Sequence, residues 1–258
     1  MGHQKLGTLP RSRRWHQIVE LLGGGADVTE IAAATALAAE SSLADVSNDA
    51  VVRHAFWLLT QIPQAARDMD FVGALGALHL DAPIDPSLAD VVAAAVDATE
   101  QERPLKGRGS DYGEMARLAL AESLYAIASR QPDLLGETPD RVRTALAGLA
   151  SPRQFAVLAR DFFARLTQRH LDYFLSRELV HHAGIGRRFP TLRQLEEFQA
   201  AIDTHCREAT RVIRDFSAEW FSKHTFEGGI DREKAGRFVS VAASKIRDEL
   251  KRRRPADG

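Results

Sequence analysis

Residues 152–182 read PRQFAVLARDFFARLTQRHLDYFLSRELVHH, and this stretch decides the fold. Apolar side chains recur every three or four residues, for example at Phe155, Leu158 and Phe162, which is the period of an α-helix with one buried face. Ser151 is a favoured N-cap residue, and the proline after it fits the first helical position. The pattern therefore predicts one long helix over this stretch.

A second stretch, residues 192–221, has the same period. Its apolar stripe includes Phe198 and Cys206. The connection between the two stretches, 183–190, is short, and short connections favour antiparallel neighbours. The sequence therefore predicts a long antiparallel αα-hairpin (152–182 / 192–221).

The remainder of the chain also carries the residue patterns that begin and end helices. Capping residues such as Asp27, Asp49 and Asp231 precede apolar-periodic segments, while alternating β-branched runs, the signature of strands, are absent. We predict an all-α protein, an irregular helical bundle of about nine or ten helices that includes the long hairpin.

The charges are divided unequally along the 258 residues. The formal net charge is only -1, yet residues 1–140 hold 11 basic and 20 acidic residues, whereas residues 141–258 hold 23 basic and 15 acidic residues. We interpret the chain as an acidic helical region with a basic arm over 1–137 and a basic helical region over 138–258, or as one continuous domain. Such an asymmetry indicates an anionic partner for the basic region, or two regions that neutralise each other.

Composition also sets expectations about location. The single cysteine, Cys206, cannot form an internal disulfide, which is typical of a reducing compartment. No apolar run approaches the length that spans a bilayer. The excess of arginine over lysine fits a GC-rich bacterial genome. We expect a cytoplasmic, bacterial protein without a membrane partner.

Near the N-terminus a short segment resembles a DNA-binding motif. Residues 18–35, IVELLGGGADVTEIAAAT, resemble the opening of the helix–turn–helix in resolvase-like DNA-binding domains, where a short helix, a glycine turn and a VxEIAxAT helix recur. The resemblance stops at Ala36–Asp45, which continues as helix where a second turn should precede the recognition helix. We interpret the second helix as an alanine-rich core helix. The basic arm over residues 5–14 would favour phosphates.

The tip of the hairpin is the local feature most suggestive of a binding site. Gly184 and Gly186 permit a tight loop, and the arginines that follow offer bidentate donors to a phosphate or carboxylate. We expect these side chains to be exposed and to contribute little to stability. The alternative is a C-cap glycine followed by a solvated turn. The candidate anion- or nucleic-acid-binding residues are Arg177, His181, His182, Arg187 and Arg188.

A second candidate site lies along the hairpin. If the two helices fold back near residue 187, His170 lies opposite His205, with Asp203 and Cys206 close by. Two imidazoles and a carboxylate form a conceivable ligand set for zinc or iron. The alternative is a hydrogen-bonded polar layer, since neither a CxxC nor an HExxH motif is present.

No motif of a catalytic nucleophile is present, so we assign no catalytic residue and no cofactor. We expect a non-enzymatic adaptor or accessory protein of a multi-component system. It would bind an anionic partner, nucleic acid in first place, through its C-terminal half, and would have a protein partner as well. Two alternatives stay open. One is a metal-dependent enzyme with its site between the two long helices; the other is a protein-binding scaffold, for example in an anti-phage defence locus.

Overall fold

The computed structural model describes residues 13–38, 45–102, 111–131 and 138–252. Within these ranges the secondary structure is helical, apart from one isolated bridge, and the predicted all-α bundle is confirmed. The helices with defined bounds are α1 (Arg13–Gly24), α2 (Val28–Ala38), α3 (Ala50–Ala65), α4 (Phe71–Ala77), α5 (Leu88–Gln101), α6 (Asp111–Ala128), α7 (Pro139–Gly148), α8 (Pro152–His181), α9 (Leu192–Ala209), α10 (Arg211–Phe226) and α11 (Arg232–Arg252).

The long hairpin is present, but its second arm is two helices rather than one. Helix α8 is 30 residues long, as its sequence predicts. The predicted helix 192–221 ends at Thr210, whose hydroxyl donates to the carbonyls of Cys206 (2.9 Å) and Arg207 (3.1 Å). A threonine that bonds back to the preceding turn bends a helix. The amide of Ile213 then donates to the carbonyl of Thr210 (3.0 Å), and a separate helix, α10, runs to Phe226.

Several helix starts follow their capping signals. Thr191 and Gln194 form a capping box at α9, and Asp49 accepts from the amides of Val51 and Val52 at α3. Helix α5 begins two residues later than its Asp-Pro sequence suggests, because Ser87 forms a capping box with the third helical residue. Reciprocal capping satisfies two amides at once and therefore outweighs a single carboxylate cap.

An aromatic cluster forms the centre of the core. Phe56 on α3 is fully buried, and its ring stacks on Phe238 of α11 with 4.8 Å between centroids. Phe163 of α8 lies 5.3 Å from it and Trp220 of α10 lies 6.2 Å away. Four helices from distant parts of the sequence therefore meet at one side chain.

The N-terminal helices pack as a pair onto this core. Helix α2 contacts α11, α9 and α8, and its Ile31, Ala32 and Thr35 are fully buried. The prediction of an alanine-rich core helix is confirmed over 28–38. Residues 39–44, through which that helix is predicted to run, and the first part of the basic arm lie outside the described residues.

Helices of the acidic and basic regions pack directly against each other. Helix α8 contacts α6 extensively, and α11 contacts α3. Ion pairs also join the two regions: Glu122 of α6 bridges Arg165 (2.7 Å) and Arg169 of α8, and Glu102 bridges Arg232. Part of the basic charge in the C-terminal region is thus neutralised by carboxylates of the acidic region. No described helix is long and apolar enough to cross a membrane.

Candidate functional site

The tip of the hairpin is a closed, hydrogen-bonded loop. The amide of Gly184 donates to the carbonyl of Phe189 (2.9 Å), and the amide of Phe189 donates to His182 (3.0 Å). Gly184 and Gly186 have φ values of 117° and 75°, which favour glycine. The sequence therefore predicts correctly that glycines shape this loop.

The side chain of Arg188 makes hydrogen bonds within the protein. Its guanidinium group donates to the carbonyls of Leu21 and Leu22, each at 3.0 Å, and to that of Ala26. Leu21 and Leu22 belong to the last turn of α1, where carbonyls lack the amide of a following helical turn, and Ala26 lies just beyond the helix. The carbonyl of Leu21 also accepts from the amide of Ala26 (3.2 Å). The group also lies over the ring of Phe198 (5.6 Å). The expectation that both tip arginines are exposed is therefore wrong for Arg188, whose donors are occupied by α1.

The other predicted tip residues differ in exposure. His181 and Arg187 are exposed, whereas His182 is half-buried near Gly23 of α1. Burial lowers the pKa of His182, and the nearby Arg188 acts in the same direction, so this imidazole is held towards its neutral form. The side chain of Arg177 lies outside the described residues. Of the predicted set, His181 and Arg187 are the ones placed to meet a partner in solution.

The predicted metal ligands are not brought together as a set. His170 is fully buried, and its ring lies next to Tyr112 (5.7 Å) and Phe174 (5.3 Å). Asp203 instead accepts a hydrogen bond from Nε of Arg207 (2.8 Å). Among the described residues, no three His, Cys, Asp or Glu side chains are grouped so that they could hold a metal ion.

The carboxyl groups of Asp172 on α8 and Asp203 on α9 are close enough to influence each other. Burial raises the pKa of Asp172 to about 6; Arg169 opposes this and Asp203 adds to it. The thiol of Cys206 is fully buried beside them, and burial raises its pKa well above the ordinary value. The prediction that Cys206 lies on the apolar stripe is confirmed.

We predict that Asp172→Asn stabilises the protein at neutral pH. The Asp172 carboxyl ionises near pH 4 in the unfolded chain but near pH 6 in the folded protein. The ionised group therefore destabilises the fold fully above about pH 6 and not at all below about pH 4. Removing this carboxylate should raise the free energy of unfolding by about 1 to 2 kcal/mol at pH 7. Because the side chain is partly exposed, the gain is smaller than the energy equivalent of the full pKa shift. Urea unfolding at several pH values measures this.

The matched control is Asp248→Asn, which removes an exposed carboxylate on α11. It should change the free energy of unfolding equally, and by less than about 0.5 kcal/mol, at every pH. A gain from Asp172→Asn that is the same at pH 4 and pH 7 would contradict the prediction.

An arginine face runs along α8 and α10, and we define it by Arg153, Arg160, Arg211 and Arg214. Arg153 and Arg160 are seven residues apart on α8, so they project from one side of that helix. Arg211 and Arg214 are spaced i, i+3 on α10; Asp215 lies on the same side, which continues with uncharged Ala218 and Ser222.

The guanidinium groups of this face are close enough to influence one another. Burial and then the neighbouring charge of Arg211 lower the pKa of Arg160; Arg214 acts in the same direction and Glu208 opposes it. Arg160 donates to the carbonyl of Arg207 (2.9 Å) at the end of α9. Like charges so placed indicate a site that gains from a bound anion.

The charges of this face are only partly neutralised. Arg211 bridges Glu208 at 3.0 Å, whereas Arg153 and Arg214 form no ion pair with a described residue. Sequence reasoning missed this face. The signal that would have revealed it is the helical spacing of its arginines, but that signal requires knowing that α10 packs against α8.

Comparison of the chain with protein-family models, with curated proteins and with solved structures finds no match. The functional proposals therefore depend on the chemistry of the described residues. The arginine face and the exposed part of the hairpin tip are the two surfaces with distinctive chemistry in the C-terminal region.

Proposed function

We propose that this protein is a non-enzymatic helical adaptor that binds an anionic partner, nucleic acid in first place, through its C-terminal half. The observation that carries the proposal is the arginine face, on which Arg160 of α8 lies close to Arg211 and Arg214 of α10, with Arg153 two turns away on the same side of α8. Arginine suits phosphate because its planar fork donates two parallel hydrogen bonds. Arg153 and Arg214 are exposed and form no ion pair with a described residue. A phosphate therefore binds them without displacing a carboxylate.

The face favours contacts to the phosphate backbone rather than to bases. Its arginines are spread along two helices, and no aromatic residue lies among their positions to stack on a base. Contacts of this kind do not depend on nucleic-acid sequence, and they weaken steeply as salt increases because bound counterions are released. We therefore expect sequence-independent, salt-sensitive binding.

The test compares two double variants that each remove two positive charges. Arg153→Gln with Arg214→Gln should weaken binding to a fluorescent oligonucleotide about tenfold at low salt, and should reduce the slope of log affinity against log salt by about 1.8 for a duplex. The control, Arg67→Gln with Arg237→Gln, removes exposed arginines elsewhere and should leave affinity within about twofold.

The result that would overturn the proposal is equal binding by the two double variants, or no binding of the oligonucleotide by the unmodified chain at about 50 mM salt. A polyglutamate peptide serves as a second probe. If the chain binds this peptide through the arginine face but does not bind the oligonucleotide, the partner is an acidic protein and the nucleic-acid proposal is wrong.

A further inference from the structure

The apex of the hairpin loop displays an apolar side chain to solvent. Ile185 is 99 % exposed, although the loop that carries it is closed by hydrogen bonds and anchored to α1 through Arg188. Val180 in the last turn of α8 is 66 % exposed and Leu192 at the start of α9 is 76 % exposed. One exposed apolar side chain is ordinary, but three at the same end of the hairpin favour a contact with another surface.

The residues around this apolar tip are basic. No acidic residue occurs between Glu178 and Glu196. Of the three arginines in this stretch, Arg188 is bound to carbonyls near α1 and Arg193 bridges Glu197 at 2.8 Å. Arg187 is exposed next to the apex. The surface that receives Ile185 should therefore be apolar with acidic surroundings.

Such a surface exists on the same chain. A groove of about 500 Å³ lies between α5 and α6, and it is lined mainly by small apolar side chains. Ala89, Val92 and Ala93 form one wall, Ala121 and Ala126 form the other, and Tyr125, 49 % exposed, stands beside them.

Acidic residues continue the groove at one end. Asp97 and Glu100 follow Ala93 by one and two turns along the same side of α5. Across from them Arg117 bonds Glu114, and the charges of Glu100 and Asp97 also raise the pKa of Arg117. Three carboxylates therefore lie near one arginine at this end of the groove, and that of Asp97 belongs to an exposed residue.

The tip cannot reach the groove of its own copy. Arg165 lines the groove, and it lies 16 residues before the end of α8 at His181. In a continuous helix this separation is about 24 Å along the axis. An interaction between the two surfaces must therefore join different molecules.

We propose that the chain assembles head to tail, with the Ile185 loop of one copy in the groove between α5 and α6 of a second copy. Ile185 meets the alanine walls, and the basic tip faces Asp97 and Glu100. Because the two surfaces differ, the contact is heterologous and leaves a free tip at one end and a free groove at the other, so assembly continues beyond a dimer. The opposite charges of the two regions favour the encounter at low salt.

The experiment measures the mass of the full chain in solution by sedimentation velocity, without nucleic acid, over a range of protein concentrations. At low salt the weight-average mass of the unmodified chain should rise to more than twice the monomer mass of 28.4 kDa. Ile185→Asp should stay monomeric because it removes the apolar apex. Ala93→Arg should stay monomeric because it fills the groove with a long cationic side chain at an exposed helical position.

An equal mixture of these two variants distinguishes this assembly from others. The Ile185→Asp copy retains its groove and the Ala93→Arg copy retains its tip, so the mixture should form a dimer and stop there. Phe226→Asp is the matched control, because it charges another exposed apolar residue, 92 % exposed, away from both surfaces. It should assemble as the unmodified chain does.

Three results would overturn the proposal. The first is an unmodified chain that stays monomeric at every concentration, which would assign the two surfaces to other proteins. The second is unchanged assembly of either single variant, which would place the interface elsewhere. The third is a mixture that stays monomeric while the unmodified chain assembles. Circular dichroism of each variant confirms that it is folded.

Discussion

Phe56→Ala should lower the free energy of unfolding by about 4 kcal/mol. Phe56 is fully buried, and its ring contacts aromatic side chains from α8, α10 and α11. Truncation removes apolar contact area from the core and leaves a cavity where four helices meet. The surrounding side chains cannot fill this cavity without losing contacts of their own. Urea denaturation followed by circular dichroism measures the effect as a lower midpoint.

Phe226→Ala is the control for this prediction. Phe226 has the same side chain, but it is 92 % exposed at the end of α10, so its truncation should change the free energy of unfolding by less than about 0.5 kcal/mol. A loss below about 1 kcal/mol for Phe56→Ala would mean that α3 does not pack against the hairpin as described.

Arg188→Ala should cost about 2 to 3 kcal/mol and loosen α1 in particular. The guanidinium group joins the hairpin tip to the carbonyls of Leu21 and Leu22 in the last turn of α1 and to that of Ala26 just beyond it. Arg188→Lys should recover little of the loss, because one ammonium group lacks the planar fork that reaches several carbonyls together. Thermal unfolding measures the loss of stability, and hydrogen exchange of the α1 amides shows whether α1 is the part that is loosened.

Arg187→Ala provides the comparison one residue away. Arg187 is exposed, so its removal should leave stability within about 0.5 kcal/mol. Equal losses for the two substitutions, or exchange that increases throughout the chain rather than in α1, would contradict the anchoring role of Arg188.

The two functional proposals use different surfaces of the protein. The arginine face lies along α8 and α10, whereas the head-to-tail contact uses the hairpin tip and the groove of α5 and α6. Loss of nucleic-acid binding in the arginine variants therefore leaves the assembly test unaffected, and monomeric tip variants retain the arginine face. If both proposals hold, an assembled chain presents many arginine faces, and its apparent affinity for a long nucleic acid should exceed that of a monomeric variant.

The candidate sites could be predicted from the sequence only in part. The tip glycines and arginines stand out because they are adjacent in the chain, yet adjacency could not show that Arg188 turns towards Leu21 and Leu22. The arginine face was missed because its members come from two helices. A side chain's partners across the fold depend on packing between segments that are distant in sequence.

The sequence by itself determined the helical class and most helix starts, because these depend on apolar period and on capping residues within a few positions of each other. Thr191 with Gln194 and the stripe of α8 illustrate this. Only the tertiary structure decided that the second arm divides at Thr210, that Glu122 neutralises part of the basic region, and that an acidic-ended groove lies beyond reach of the tip. The physical reason is that long-range packing and charge pairing act between residues whose separation in the chain carries no local signal.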